Sequence, residues 1–348
     1  MKQNWNLCLD VCYLVFKCKN KYKKFKYFKL NTQSMIVTTF GGGTGSFHLL
    51  LALKRLKDVK INAVVSVIDN GGSTGVLRTL YGIIPPGDIR NCLVALSEDT
   101  AIWNKLFNYR FDKKLNSHSL GNLILTALTK IYGSFEEGLY AAHKILRIGE
   151  HKVMPVTLND THLCVEFENG KVLKGEVEIR TYMCKNRSEK IKKFFLESPT
   201  QIYPNPEVIA AIRESDFIIF GPGSLYTSIL PNFLVPYVSK FINESKAKKI
   251  FISNIMTEPG ETSGFSVEDC VRVIERYANL DYIVINSSKP SEEILKKYQK
   301  ENQELMITKT NDDRYFFVDL LNERDILRHD PVKLSRILEW LFIKDVEV

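Results

Sequence analysis

Several polar, glycine-rich turns punctuate the 348-residue chain where β-branched runs give way to helical periodicity, and their composition suits them to hold an anion. The first is Gly41-Gly42-Gly43-Thr44-Gly45, directly after IVTTF and opening FHLLLALKRL. Glycine lets such a turn take positive φ and approach a ligand with no Cβ in the way. Free N–H groups and the helix dipole then favour phosphate at the helix start. The loop lacks the Gly-Lys-Ser/Thr ending of a Walker A motif. Read as a dinucleotide fingerprint from Gly41, it puts Ser46 in the last glycine position. A tight connector with no ligand is the plain alternative.

The second turn, Asp69-Asn70-Gly71-Gly72-Ser73-Thr74-Gly75, closes NAVVSVI. It lies where a Rossmann-type fold sets an acid against a ribose hydroxyl, so Asp69 could take that role, help hold a divalent cation, or merely cap the next helix. GGSTG also spells the G-x-S-x-G elbow of α/β-hydrolases with Ser73 as nucleophile, but no local sequence singles out the acid and histidine such an enzyme needs. In Pro85-Pro86-Gly87-Asp88-Ile89-Arg90-Asn91, Asp88 is a cap candidate and Arg90 the nearest fork-shaped cation for a phosphate. Ser117-His118-Ser119-Leu120-Gly121-Asn122 enters a further helix, and Gly221-Pro222-Gly223-Ser224 follows the strand DFIIF. No histidine pair has zinc spacing, so no metal site is expected from histidine, and His118 reads as a neutral imidazole bonding backbone.

These turns need a scaffold that brings them together. From Met35 onward short β-branched runs alternate with helical periodicity, the signature of βαβ units. IVTTF, NAVVSVI, DFIIF, KIFISN and DYIVIN read as buried strands, YFFVDL as a short edge strand and VKLSRILEWLFI as a closing helix. Between about Val153 and Phe195 the pattern changes: VTLNDTHLCVEFENGKVLKGEVEI alternates apolar and polar residues around turn signals at Asn159-Asp160 and Asn169-Gly170, which predicts an antiparallel insertion. The expected fold is α/β, doubly wound and Rossmann-like, with a mostly parallel sheet and a small antiparallel β insertion. Residues 35–348 are expected to form one domain.

Composition bounds the function. With 45% hydrophobic and 25% charged residues the chain can bury a full core. The best N-terminal apolar stretch, LCLDVCYLVF, is short and broken by Asp10, so no membrane span is expected. The net charge of +8 is uneven: eight lysines against Asp10 give residues 1–34 a charge of +7 and leave +1 for the rest. A binder of nucleic acid needs its cations on the folded surface, so nucleic acid is not the expected ligand. The basic segment places its cations after the apolar stretch, unlike a secretory signal. It reads as an extension outside the fold or as a basic arm for an anionic surface, with Met35 as a candidate start of the folded unit. Cys92, Cys164, Cys184 and Cys270 are scattered singly and read as buried thiols in a reducing cytoplasm.

Taken in order, GGGTG, DNGGSTG, PPGDIRN, HSLGN, GPGSLYTSILPN and NIMTEPGET resemble the gluconeogenesis factor family of bacteria, which shares a wider fold group with the 2-phospho-L-lactate transferase of deazaflavin cofactor synthesis. The match runs from Met35 to about Pro290. The resemblance implies a Rossmann-like fold, a cytoplasmic location, and roles in growth on gluconeogenic carbon and in cell shape and wall maintenance. It also implies binding of UDP-N-acetylglucosamine. On that basis Gly42, Gly43, Thr44 and Gly45 cradle the diphosphate, while Asp69, Asn91 and Asn122 face the crevice. Gly223 and Ser224 line its other wall, and Thr257 and Glu261 come from NIMTEPGET. The turns add Asn70, Gly71, Ser73, Arg90 and Ser119 as ligand contacts.

The transferase relatives tend to carry acids beyond the second strand where this chain has Gly71-Gly72-Ser73, and family members usually show two acids where it has Asp69-Asn70. The leading expectation is therefore a regulatory UDP-sugar-binding protein with no cofactor of its own. Its rival is a transferase of a phosphorylated group with Asp69 holding magnesium. A nicotinamide dinucleotide protein is a third reading. A homo-oligomer is compatible with all three.

Overall fold

The computed structural model describes residues 14–18, 21–25, 34–68, 70–113, 116–186, 189–323 and 326–346. Strands β1 (Leu14–Cys18) and β2 (Lys21–Phe25) precede β3 (Met35–Gly41), α1 (Gly43–Leu53) and β4 (Val59–Val65). A helical run follows: α2 (Gly72–Tyr81), α3 (Gly87–Leu96), α4 (Thr100–Asn108), α5 (Leu120–Tyr132) and α6 (Phe135–Leu146). After β5 (Lys152–Pro155) come β6 (His162–Phe167), β7 (Val172–Lys174), α7 (Glu176–Lys185) and β8 (Ile191–Glu197). The second half holds α8 (Pro206–Glu214), β9 (Phe217–Phe220), a π-helical turn (Leu225–Ile229), α9 (Leu230–Leu234), α10 (Val238–Glu244) and β10 (Lys248–Ile252). It closes with α11 (Val267–Ile274), β11 (Tyr282–Asn286), α12 (Glu292–Lys300), β12 (Tyr315–Val318), β13 (Leu321–Glu323), β14 (Leu327–His329) and α13 (Pro331–Val346).

Seven of these strands form a parallel sheet in the order β12-β11-β10-β9-β3-β4-β5. The chain moves outward from β3 to β5, returns to the other side of β3 as β9, and moves outward again. The direction therefore reverses between β3 and β9, and a crevice opens beyond their carboxyl ends. Central parallel strands are covered on both faces, which is why β9 is the continuous apolar run FIIF, buried at every position. Helices α1, α3 and α13 pack together, while α8 packs with α10. YFFVDL, expected at an edge, lies inside the sheet: β12 pairs in parallel with β11 and antiparallel with β1. The basic N-terminal segment places the β1–β2 ribbon there, with Lys17 opposite Phe317. Every strand of the parallel sheet comes from Met35 onward.

The antiparallel insertion differs in detail from the pattern read in the sequence. Val153 begins no insertion, since Lys152–Pro155 is the outermost parallel strand beside β4. The inserted sheet is β7-β6-β8, and its hairpin turns at Asn169-Gly170 as expected. GEVEI, which alternates like a strand, starts helix α7: Gly175 takes φ +99 and redirects the chain. The buried residues that follow, Ile179 and Met183, are four apart, so helical spacing rather than alternation fills the small core with Leu163, Val165 and Phe167.

Candidate functional site

The crevice at the switch point is a cavity of about 510 Å³. Its floor is the loop after β3, where Gly42, Gly43, Thr44 and Gly45 line the space, faced by Gly223 and Ser224 of the loop after β9. Three glycines of the first loop have distinct physical reasons. Gly43 has φ +64 and nothing within 4 Å of where a Cβ would be, so its backbone is bare toward the cleft. A Cβ on Gly42 would stand 2.2 Å from Asp88 Oδ2, and one on Gly45 would stand 2.2 Å from the Pro222 carbonyl oxygen. The two loops are therefore in contact through backbone. Helices α1 and α2 begin at glycine N-caps with no side-chain acceptor and no acid in their first turns, whereas α4, α5, α6 and α8 are capped by Asp99, Ser119, Ser134 and Asn205. The glycine N-caps of α1 and α2 therefore supply no capping side chain of their own.

The second loop is held from behind. Asn254 accepts from the Gly223 N–H at 2.9 Å and donates to the Gly223 carbonyl at 3.0 Å. Ser224 caps the π-helical turn by accepting from the Thr227 N–H at 3.2 Å, and its hydroxyl meets the Glu261 carboxyl. Glu261, 4% exposed, also accepts from the Tyr226 N–H at 3.2 Å and the Thr227 hydroxyl at 3.3 Å. Burial raises its pKa, against the hydrogen bonds that favour the charged form. Glu258, three residues earlier, lies on the cleft wall. Burial, reinforced by the neighbouring Glu261 carboxyl, pushes its pKa up to about 7, with Ser224 and Arg180 acting in the opposite sense.

A polar network joins the turns of the helical half. Arg90 donates to Ser119 Oγ (2.5 Å), Asn122 Oδ1 (3.0 Å) and Asn91 Oδ1 (3.0 Å). Asn122 Nδ2 donates to Ser73 Oγ at 3.2 Å, and Ser73 Oγ is 2.8 Å from His118 Nδ1. His118 therefore bonds a serine side chain rather than backbone. The fold supplies the serine–histidine contact that local sequence did not, and the charged member of the network is a cation, Arg90. Asp88 sits in the first turn of α3 without capping it.

The remaining expected residues fall in supporting positions. Gly71 is the N-cap of α2. Asn70 accepts from the Val177 N–H at 3.2 Å and donates to Glu178 at 2.9 Å, so it ties the second turn to α7. Thr257 is buried in the wall, its hydroxyl accepting from the Glu304 N–H at 2.8 Å. Asp69 lies outside the described residues. Among the described residues no three His, Cys, Asp or Glu side chains are grouped to hold a metal.

Several lining residues escaped the sequence reading. Arg180 and Glu176 come from α7, which alternation disguised as a strand. Glu258 stands beside Glu261 in the same TEPGET segment, and its three-residue spacing from that acid was a visible signal. Tyr298, Gln303, Leu327, Arg328 and His329 come from the last 58 residues, to which no motif pointed. Burial holds the His329 imidazole down to about 4, with Nε2 3.1 Å from the Ser253 carbonyl.

Known proteins resemble the chain along most of its length. The family model of 2-phospho-L-lactate transferase CofD matches residues 37–318. A Thermotoga maritima protein that carries the name gluconeogenesis factor provisionally is 43% identical over 317 residues, which are 88% of this chain and 98% of that protein. The Bacillus subtilis gluconeogenesis factor is 41% identical over 313 residues, covering 87% of this chain and 96% of its own. The crystal structure of a UPF0052 family member from Bacillus halodurans has a TM-score of 0.81 at 38% identity, covering 88% of this chain and 100% of that one.

Proposed function

This chain belongs to the gluconeogenesis factor family, and we propose that it is a cytoplasmic regulatory protein that binds a UDP-sugar, UDP-N-acetylglucosamine, and serves growth on gluconeogenic carbon and the maintenance of cell shape and wall. One observation carries the reading. The glycine loops after β3 and β9 flank the topological switch point and line a single cleft, with the Gly43 backbone bare toward it. A diphosphate between them would meet the N–H groups of Gly43, Thr44 and Gly45 on one side and the Gly223–Ser224 turn on the other. Glu261 acts through Ser224, and the Arg90–Asn91–Asn122–Ser119–Ser73 network and Asn70 set the neighbouring turns. Thr257 and Gly71 serve in the same supporting way, and Asp69 is the residue for a ribose hydroxyl.

A second reading, transfer of a phosphorylated group to an acceptor hydroxyl, is favoured by Glu258. A carboxyl held near neutrality on the wall of a phosphate site is suited to accept a proton from a hydroxyl. Calorimetric titration with UDP-N-acetylglucosamine, UDP-glucose, NAD and GDP, with and without magnesium, separates the readings. Binding of the UDP-sugars without turnover is expected. Strict magnesium dependence with consumption of ligand supports the transferase, and binding of NAD alone contradicts both.

A further inference from the structure

The cleft makes no use of the basic N-terminal segment, which holds seven lysines, no acid and no arginine between residues 11 and 34. Four of them, Lys17, Lys21, Lys23 and Lys24, lie in the β1–β2 ribbon at the outer edge of the nine-stranded sheet. The register sets each opposite an uncharged residue: Lys17 opposite Tyr22, Lys21 opposite Cys18, Lys23 opposite Phe16 and Lys24 opposite Val15. No carboxylate therefore offsets the charge across the ribbon. The next strand inward is the uncharged YFFV of β12, and two acids that flank it are engaged elsewhere, Asp312 with Arg314 at 2.8 Å and Asp319 with Lys333 at 2.7 Å. Opposed positions share a face, so lysine falls on both faces of the ribbon, and neither face is suited to burial under a helix.

We propose that this ribbon docks the protein on an anionic lipid surface. Each lysine close to a negatively charged leaflet adds attraction, and clusters of about four to eight cations suffice for recruitment. Between the lysines the segment places Phe16, Tyr22, Phe25, Tyr27 and Phe28, and aromatic rings settle at the headgroup boundary. The phosphates of a nucleic acid are gripped best by the guanidinium fork, which this segment lacks. A strand from another protein is disfavoured as well, because lysines on an edge strand oppose further pairing. The strand order puts β1 four strand spacings from β9, about 20 Å. That is about twice the screening length at about 0.1 M salt, so the ribbon's charge and the cleft act independently.

The test is co-sedimentation of the full chain with vesicles of phosphatidylcholine alone and of phosphatidylcholine and phosphatidylserine in equal parts, beside titration with single- and double-stranded DNA. Binding is expected to the mixed vesicles only, and to fall at least about tenfold between about 0.1 and about 0.5 M salt. Lys17→Gln, Lys21→Gln, Lys23→Gln and Lys24→Gln together, with folding checked by melting, are expected to weaken it about tenfold or more. The same exchange at the exposed Lys105, Lys113, Lys144 and Lys171 removes equal charge from other surfaces and is expected to change it less than about threefold. Should the ribbon variant not fold, the salt series and the control variant still decide. Binding to neither vesicle, to both alike or without regard to salt overturns the proposal, as does an equal loss in the two variants. Tighter binding to DNA than to the mixed vesicles assigns the ribbon to nucleic acid and overturns it too.

Discussion

Ser224 and Glu261 join two loops that follow neighbouring strands: the serine that caps the turn after β9 places its hydroxyl on a carboxyl buried in the loop after β10. Glu261 gathers that hydroxyl, the Thr227 hydroxyl and the Tyr226 N–H at one point. Replacing it by alanine strands the Tyr226 N–H and removes the acceptor that the two hydroxyls, which also bond each other at 2.6 Å, share. A loss of about 1–3 kcal/mol is expected in chemical denaturation, with faster hydrogen exchange at amides 224–228. Gln, which keeps an acceptor oxygen, is expected to recover part of the loss. An alanine variant with wild-type stability and exchange would show that the loop holds its shape without Glu261.

Glu258 links stability to pH with a definite sign. Its folded pKa lies above the ordinary carboxyl value, so between about 4.5 and 7 the native state binds more protons than the unfolded one and stability falls as pH rises. Glu258→Gln removes this dependence. The variant is expected to match the wild type at pH 5 and to exceed it by about 1–2 kcal/mol at pH 8, less than the whole shift because the group borders solvent. Denaturation at both pH values checks it. An equal difference at the two pH values contradicts the assignment.

Asn122 bridges a buried cation and two hydroxyls, accepting from Arg90 and donating to Ser73 and, at 3.5 Å, to Thr74. Asn122→Leu is expected to cost about 1–3 kcal/mol, since it leaves buried polar groups unmatched. Asn122→Asp keeps the Arg90 contact and is expected to cost less. Thermal melts that rank the two variants in the reverse order would show that Arg90 does not depend on this bond.

A chain beginning at Met35 retains the whole parallel sheet and every lining residue of the cleft. Its ligand affinity is expected to stay within about twofold of the full chain's. A tenfold loss would make the N-terminal segment part of the site.

The parallel strands and the two glycine loops were legible because their signals are local: a β-branched run, then glycines, then apolar spacing of three and four. YFFVDL was placed at an edge because its neighbour β1 comes from a segment with no place in the βα rhythm. Helix α7 was missed because four alternating residues outweigh a glycine in a short window, although Ile179 and Met183 carry the helical spacing. The Ser73–His118 contact spans 45 residues and the Gln303–Thr257 contact spans 46. Such pairs are made by topology, and no window of sequence contains them.

Gly43 bears most directly on the central claim, because its backbone is the barest in the loop after β3, with φ +64 and open space where a Cβ would be. A β-branched residue there disfavours positive φ and fills the space proposed for the diphosphate. The decisive measurement is calorimetric titration of UDP-N-acetylglucosamine, in EDTA, into the wild type and a folded Gly43→Val variant. Affinity in the micromolar range for the wild type and none for the variant is the expected result. Equal affinity in both, or no binding by the wild type, would contradict the assignment of this cleft to a UDP-sugar.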